Sequence, residues 1–274
     1  MSTMTMTYFS KALKGCQQVC IYLPIGTEYE DMIEDGEKFQ VLWLLHGYGG
    51  NFSEWGRYTC IEKLAMDHRF AVVMPDGGHS CYSNLPDGMS YYKYITEELP
   101  AFLRKYFPLS DKREDNWIAG LSMGGEGAAM LGFANPDKYS AIGIFSGGPD
   151  EPREQFSWYE EREHWKLEDL KDNGYIDFYK NFKEMPSSGY PMPLIYDTIG
   201  KDDFLYPGFE NFQNYCKELG YEDYVIFDPV EGHVHSWDFW DLSIGKFVDL
   251  LPLKHRNSWR KWYDSVDDKV AKND

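Results

Sequence analysis

The chain has 274 residues, of which 43% are hydrophobic and 26% charged, and its formal net charge is -18. This length and composition favour one large globular domain with a full hydrophobic core. Because the charge is strongly negative, it disfavours binding to nucleic acid or to an anionic membrane surface.

Apolar stretches along the chain predict β-strands. The alternating stretch at 19–24 is typical of an antiparallel strand, and near-continuous apolar runs are typical of strands buried on both faces. These runs cover 39–47, 70–78, 116–122, 139–148, 193–200 and 223–232. Helical stretches between and after them cover 89–107, 123–134, 207–220 and 237–251. Strands that alternate with helices predict an α/β fold with a mostly parallel central sheet and helices on both faces.

Residues 151–190 interrupt this alternation. The segment is charged, contains Trp158 and Trp165, and is too long for an ordinary connection. We interpret it as a helical insertion, either a lid or a pair of surface helices. The chain is polar over 253–274, for which we expect a C-terminal helix or tail without chemistry. The whole chain, 1–274, is predicted to form a single domain with these two additions.

Ser122 lies in the stretch GLSMG, a G-x-S-x-G motif between a predicted strand and a helix rich in small residues. In this context the motif predicts a nucleophile elbow, a sharp turn that exposes the serine hydroxyl at the end of the strand. The residues two before and two after the serine must be small, as Gly120 and Gly124 are. Ser146 is a competing serine, but no helix directly follows it, so we expect it to be structural.

The glycine-rich segment HGYGG, residues 46–50, follows an early strand. Attack on an ester turns the carbonyl oxygen into an anion that needs two preorganised N–H donors. The amide of Met123 is one predicted donor, and the amide of Tyr48 is the other, with Gly47 or Gly49 as the alternative. His46 precedes the serine in the chain, so we expect it to brace this loop rather than to act as the base.

The catalytic acid and base should follow late strands, because the chain order in this architecture is nucleophile, acid, histidine. Asp197, Asp202 and Asp203 are the candidates for the acid, and Asp197 is a poor choice because it lies inside a predicted strand. His233 and His235 share the loop before the last predicted helix. A His-x-His step can also be half of a metal site, with Asp203 as a third ligand. Such a site would leave the serine motif without a role, so we predict no metal and no cofactor.

Five segments together resemble the esterase D superfamily of α/β-hydrolases: LLHGYGG, YYKYITEELP, AGLSMGGEGA, GKDDFLY and HSWDFW. The most similar branch contains tributyrin esterases and the feruloyl and acetyl esterases of carbohydrate esterase family 1. The resemblance covers roughly residues 5–150 and 190–251. It implies the α/β-hydrolase fold and an acyl-enzyme mechanism.

The resemblance also implies a choice among the candidate site residues. It assigns the acid to Asp203 and the base to His235, which together with Ser122 would form a Ser-His-Asp triad. Members of the family usually have glycine directly before this histidine, whereas here Val234 stands there and a Gly-His pair lies further forward. His233 therefore stays open as an alternative base.

We predict a serine carboxylesterase that acts on acetyl or other short-chain esters, or on hydroxycinnamoyl (feruloyl) esters, of plant-carbohydrate fragments. Trp158, Trp165 and Trp237 are candidate substrate contacts, because aromatic rings bind sugars and aromatic acyl groups. The alternatives are an acyltransferase to a sugar or alcohol, an S-formylglutathione hydrolase, and a binding protein with this fold but no activity. The expected partner is a small-molecule or oligosaccharide ester, and the sequence is compatible with a homo-oligomer.

The cysteines and the amino terminus bear on the cellular location. Cys16 and Cys20 lie on one predicted strand, roughly 13 Å apart and too far for a disulfide, so we expect reduced thiols. The amino terminus lacks the basic segment and apolar run of a signal peptide, and no stretch approaches the roughly 20 apolar residues of a membrane span. These features predict a cytoplasmic protein, although a secreted protein whose signal peptide was removed would look the same.

Overall fold

A computed structural model describes residues 1–25, 36–147 and 177–256, and within them eight strands form one sheet. The strands are β1 Ser2–Ser10, β2 Gly15–Leu23, β3 Val41–Leu45, β4 Ala71–Pro75, β5 Asn116–Leu121, β6 Ala141–Phe145, β7 Leu194–Gly200 and β8 Val225–Val230. Their order across the sheet is β1-β2-β4-β3-β5-β6-β7-β8. β1 pairs antiparallel with β2 and β2 with β4, and all other pairs are parallel. The predicted mostly parallel sheet is therefore confirmed.

Helices cover both faces of the sheet. The described helices are α1 Glu54–Tyr58, α2 Ile61–His68, α3 Tyr91–Lys93, a π-helical turn Tyr94–Glu98, α4 Leu99–Leu103, α5 Met123–Ala134, α6 Phe178–Glu184, α7 Tyr206–Leu219 and α8 Trp237–Leu250. Helices α3 to α7 pack into the hydrophobic core on one face, and α1, α2 and α8 pack into the core on the other. Strands covered on both sides need apolar residues at every position, which explains their continuous apolar runs. None of the described helices is long and apolar enough to cross a membrane.

The edge strand β1 is absent from the predicted strands. Its residues alternate between half-buried and exposed, as a strand with one covered face should. The alternation is mainly of threonine with methionine, which gives little contrast in polarity. β1 pairs along its full length with β2, which begins at Gly15 rather than at the predicted residue 19. Cys16 and Cys20 both lie on β2, and all five cysteines have free thiols.

The predicted helix at 89–107 is broken and ends early. A π-helical turn joins α3 to α4, and α4 ends at Leu103. Pro100 explains the break, because proline lacks an N–H and its ring would collide with the carbonyl group four residues earlier in a regular helix. A π turn widens the backbone at this place and accommodates the ring.

The π turn directs Glu98 towards the turn between β1 and β2. The Glu98 carboxylate accepts hydrogen bonds from Ser10 Oγ at 3.1 Å and from the backbone N–H groups of Lys11 at 2.8 Å and Ala12 at 2.7 Å. Three donors on one carboxylate hold the antiparallel edge against the helical layer. The segment YITEELP, which contributes to the family resemblance, thus has a structural contact here.

The described end of the predicted insertion packs into the core. Phe182 of α6 is fully buried, and its ring lies 5.2 Å from that of Phe133 in α5. The earlier part of the insertion, with Trp158 and Trp165, lies outside the described residues, and so does the predicted tail beyond residue 256. The single-domain organisation and the lid stay predictions.

One carboxyl group is buried in the middle of the sheet. Asp197 of β7 lies between Ile144 of β6 and Phe227 of β8, and 1% of its surface is exposed. Neither carboxyl oxygen has a hydrogen-bond partner among the described residues. Burial raises the pKa of Asp197 well above its usual range, because the charged form loses its hydration there. The folded protein therefore keeps a proton on Asp197 at pH values at which the unfolded chain releases it.

Replacing Asp197 with asparagine should remove a pH-dependent cost to stability. Below a pH of about 4 the carboxyl group is protonated in the folded and the unfolded chain alike. As the pH rises further, only the unfolded chain releases the proton, so the free energy of unfolding of the wild type falls by at most about 1.4 kcal/mol per pH unit. Urea unfolding should show that the stability of Asp197→Asn relative to the wild type increases between about pH 4 and pH 7.

Asp228 provides a control with the opposite sign. Burial acts to raise its pKa, but hydrogen bonds from Lys246 Nζ at 2.7 Å and Tyr196 Oη at 2.6 Å lower the pKa below its usual value. The stabilisation from this carboxylate is present above its unfolded pKa and is lost as the pH falls through its folded pKa. Asp228→Asn should therefore lose stability relative to the wild type as the pH rises towards about 4, and the difference should then stay constant up to pH 7, where that of Asp197→Asn still changes. The same trend in both variants would contradict a protonated Asp197.

Candidate active site

The loops at the carboxyl ends of four parallel strands form the candidate site. The segment HGYGG follows β3, Ser122 follows β5, Asp203 follows β7 and His235 follows β8. The carboxyl ends of parallel strands lie along one edge of a sheet, where open α/β folds bind their ligands. The topology therefore brings segments together that are far apart in the chain.

Ser122 occupies a tight turn between β5 and α5. Its φ of 52° and ψ of -122° lie in a region that is strained for any residue with a Cβ atom. A Cβ atom on Gly120 would lie 2.3 Å from the Gly124 carbonyl oxygen, and one on Gly124 would lie 2.4 Å from the Leu45 carbonyl oxygen. The backbones of β3, β5 and α5 thus meet at a distance that only glycine permits. The Ser122 N–H donates to the Phe145 carbonyl at 2.8 Å, which joins the turn to β6.

His235 links the serine to a buried carboxylate. Its Nε2 lies 3.0 Å from Ser122 Oγ, and its Nδ1 lies 2.8 Å from Asp203 Oδ2. With the proton on Nδ1, the ring donates to Asp203 and can accept the serine proton at Nε2. The Asp203 side chain is fully buried, and its other oxygen accepts the Leu205 N–H at 2.9 Å. Both carboxylate oxygens therefore have donors, which fixes the direction of the histidine ring.

Asp202 and His233, the alternative candidates for acid and base, lie outside the hydrogen bonds that join Ser122, His235 and Asp203. Asp203 is the aspartate that the structure brings to His235, whereas Asp202 is exposed. The His233 ring packs against Phe239, with 5.4 Å between ring centroids. Among the described residues, no group of three or more His, Cys, Asp or Glu side chains could hold a metal ion.

The segment HGYGG lies directly against the serine. A Cβ atom on Gly47 would lie 3.5 Å from Ser122 Cβ. The Gly47 carbonyl accepts hydrogen bonds from His46 Nδ1 at 2.7 Å and from the Gly50 N–H at 3.1 Å. These bonds fix the plane of the peptide between Gly47 and Tyr48, in which the N–H points opposite to the carbonyl. The direction of the Tyr48 amide is therefore determined by this loop.

His46 is fully buried, and its two ring nitrogens join its own loop to the loop after β4. Nδ1 donates to the Gly47 carbonyl, and Nε2 accepts the Gly77 N–H at 2.8 Å. The His46 carbonyl accepts the Tyr82 hydroxyl at 2.9 Å. Only the neutral ring can donate at one nitrogen and accept at the other. His46 therefore braces the loop and does not contact the chain of hydrogen bonds through His235.

Met123 begins α5 immediately after the serine. The first N–H groups of a helix lack carbonyl partners within the helix and carry the positive end of its dipole. This end of α5 adjoins Ser122 and favours negative charge next to the serine oxygen.

Two aromatic rings that sequence reasoning missed flank the imidazole of His235. The ring of Trp240 is perpendicular to it at 4.9 Å, and the ring of Phe204 is tilted against it at 4.7 Å. Trp240 is buried and donates from its indole N–H to Ser146 Oγ at 3.1 Å, whereas Phe204 is 72% exposed. Ser146 is thus a structural partner of Trp240. Both rings lie in segments that contribute to the family resemblance, but only the fold shows that they face the histidine.

Trp237, a predicted substrate contact, lies in a cluster of aromatic rings. Its ring is perpendicular to those of Trp55 at 5.6 Å and Trp240 at 5.1 Å. The half-exposed Tyr58 covers it at 4.8 Å. The observed contacts of Trp237 support the start of α8, and a contact with substrate stays a prediction.

The loop that carries Asp203 is joined to the loop that carries His235. The Asp202 N–H donates to the His233 carbonyl at 3.1 Å. A Cβ atom on Gly200 would lie 2.1 Å from the same carbonyl oxygen. The loops of Asp203 and His235 are therefore positioned relative to each other by a backbone contact that leaves no room for a side chain at Gly200.

Comparison with known proteins identifies the family. A family model described as "Putative esterase" matches residues 10–175. The chain belongs to this esterase family. The acetyl esterase of Caldicellulosiruptor saccharolyticus is 30% identical over 267 residues, which cover 92% of this chain and 98% of that protein.

Solved structures agree with this family. FphF, a fluorophosphonate-binding serine hydrolase of Staphylococcus aureus, is 28% identical with a TM-score of 0.77, and the match covers 91% of this chain and 98% of that one. The S-formylglutathione hydrolase FrmB of the same organism is 27% identical with a TM-score of 0.75 and the same coverage. A ferulic acid esterase shares the fold at 21% identity, with a TM-score of 0.72. The predicted α/β-hydrolase fold and the predicted enzyme class, a serine ester hydrolase, are confirmed.

Replacing Gly200 with alanine should impair this esterase by displacing the loop of His235. The added methyl group would collide with the His233 carbonyl, and misplacing a reacting group by about 1 Å costs about a hundredfold in rate. We expect kcat for p-nitrophenyl acetate to fall by about ten- to a hundredfold, with an unchanged circular dichroism spectrum.

The matched control is Gly245→Ala in α8. A Cβ atom at Gly245 meets nothing within 4 Å, and alanine is favoured over glycine inside a helix. This variant should keep the wild-type kcat. If Gly200→Ala also keeps it, the contact with His233 does not determine the position of His235.

Proposed function

We propose that the protein hydrolyses short-chain acyl esters, above all acetyl esters, through an acyl-enzyme formed on Ser122. The observation that carries this proposal is the chain of hydrogen bonds from Ser122 Oγ through His235 to Asp203, with distances of 3.0 and 2.8 Å. A nucleophile, a base and a carboxylate that orients the base are what acyl transfer from an ester requires. The acetyl esterase that is 30% identical to this chain supports acetyl as the acyl group.

In the proposed reaction, His235 takes the proton of Ser122 as the serine oxygen attacks the acyl carbonyl carbon. Asp203 stays ionised and stabilises the imidazolium that forms. The amides of Met123 and Tyr48 donate to the developing oxyanion. His235 then gives its proton to the leaving alkoxide, and the bond between carbonyl carbon and alcohol oxygen breaks. A water molecule deprotonated by His235 attacks the acyl-enzyme, releases the acid and restores the serine.

For the alcohol component we propose plant-carbohydrate fragments, with hydroxycinnamoyl esters as the second acyl class. The family resemblance in the sequence supports both. Hydrolysis of acetylated and feruloylated xylo-oligosaccharides, measured side by side, would rank the two acyl groups. Adding a sugar acceptor and analysing the products would detect acyl transfer, which competes with water for the same acyl-enzyme.

The decisive test is the replacement of Ser122 with alanine. Loss of the nucleophile should lower kcat for p-nitrophenyl acetate at least about a thousandfold. A fluorophosphonate probe should label the wild type and Ser146→Ala but not Ser122→Ala. Near-wild-type turnover by Ser122→Ala would refute the proposed mechanism.

Alanine substitutions of His235 and His233, both in the loop before α8, should differ sharply in their effect on kcat. His235→Ala removes the proposed base and should lose at least about a thousandfold in kcat. His233→Ala removes a ring that packs on Phe239, while the His233 carbonyl that binds the Asp202 N–H is kept, so we expect a loss below about tenfold. Equal losses in kcat, measured with p-nitrophenyl acetate, would mean that the roles of the two are misassigned.

A further inference from the structure

Phe204 exposes an aromatic ring beside the proposed base. The residue directly follows Asp203, and its side chain is 72% exposed, the most of any large hydrophobic residue in the described parts of the chain. Its ring centroid lies 4.7 Å from that of His235. Phe9 and Tyr106 are almost as exposed, at 64% and 67%, so it is the position beside His235 that makes Phe204 a candidate for contact with a ligand.

The geometry around His235 indicates which part of a substrate would meet this ring. Nε2 faces Ser122, and the leaving oxygen must come within hydrogen-bond reach of Nε2 to receive its proton. The buried ring of Trp240 closes the inner side of the imidazole. Among the described residues, the side of the imidazole that is left open to the alcohol is therefore the solvent side, where Phe204 lies.

The loop of Phe204, residues 201–206, and the loop of His235, residues 231–236, expose apolar and acidic side chains. Val234, directly before His235, is 52% exposed and adds to the apolar surface. Lys201, the basic residue of the Phe204 and His235 loops, forms an ion pair with Glu231, with 2.6 Å between Nζ and Oε1. Asp202 and Asp238 are exposed as well. A leaving group with net negative charge would meet like charges here.

We infer that Phe204 forms the leaving-group subsite and selects uncharged, ring-bearing alcohols over anionic thiols. The inference rests on the proposed function, since it takes His235 as the group that protonates the leaving oxygen. A sugar or aromatic ring can stack on the exposed face of Phe204. The glutathione thiol carries two carboxylates and one ammonium group, so the same surface disfavours it.

The test compares two acetate esters whose alcohols differ by a ring. Benzyl acetate and ethyl acetate have the same acyl group and similarly basic alkoxides. Phe204→Ala should lower the ratio of kcat/KM for benzyl acetate to kcat/KM for ethyl acetate by about five- to tenfold, mainly through KM. Phe204→Tyr, which keeps the ring, should restore the ratio.

Phe9→Ala is the matched control, because Phe9 is 64% exposed on β1, away from the loops of the site. It should leave the ratio as in the wild type. If Phe204→Ala lowers kcat for both esters equally and shifts the pH profile, the ring supports His235 and the subsite is refuted. An unchanged ratio in Phe204→Ala refutes it too.

The salt dependence of the reaction tests whether the exposed carboxylates disfavour an anionic leaving group. Raising the ionic strength screens exposed charges, so kcat/KM for S-acetylglutathione should increase relative to that for benzyl acetate. A decrease would show that the site attracts the anionic thiol. Ser122→Ala distinguishes failure of the proposed function from failure of the subsite. If Ser122→Ala still hydrolyses benzyl acetate, the proposed function is wrong. If Ser122→Ala abolishes hydrolysis but Phe204→Ala leaves the ratio unchanged, only the subsite is wrong.

Discussion

The close approach of three backbone segments at Gly120 and Gly124 is the constraint on which the site depends. A methyl group at either position would collide with a carbonyl group of a neighbouring segment. The approach lets the chain hold Ser122 at a φ of 52°, whose cost must be offset by the surrounding structure. Because HGYGG continues β3, the same contact also brings Gly47 against the serine. One packing contact thus positions both Ser122, the proposed nucleophile, and the loop that we propose to bind the oxyanion.

The positions of Asp203 and His235, the proposed acid and base, depend on a second constraint. β8 lies at the edge of the sheet and pairs with β7 alone, so the loop after it cannot be held by strands on both sides. Its position relies instead on the contact between Gly200 and His233 and on the start of α8. The aromatic rings of Trp237 and Trp240 pack there in perpendicular pairs, which resist displacement. These contacts hold the loop of His235 at the edge of the sheet.

The parallel strands could be predicted because burial on both faces requires continuous apolar runs. The tight turn at Ser122, between β5 and α5, could be predicted because such a turn requires glycine on either side. The sequence could not choose between His233 and His235 from spacing, since both lie in one loop and differ in which ring turns towards β5. It missed β1, because threonine and methionine alternate there with little contrast in polarity. It also missed the break before Pro100, because the apolar spacing does not show that the backbone widens into a π turn. The contact of Phe204 with His235 depends on how two distant loops pack together, which a local sequence pattern does not show.

Two serines follow adjacent strands with similar backbone strain, Ser122 at a φ of 52° and Ser146 at 48°. Their surroundings separate them: Ser122 Oγ meets the ring nitrogen of His235, whereas Ser146 is buried and accepts the indole N–H of Trp240. The Ser146 N–H donates to the Thr198 carbonyl, so this residue joins β6, β7 and α8 beneath the histidine. Among the described residues, Trp240 and Ser146 therefore close the inner side of His235. Because a fold alone does not determine specificity, we expect the loop residues next to Asp203 and His235 to contribute to the choice among esters.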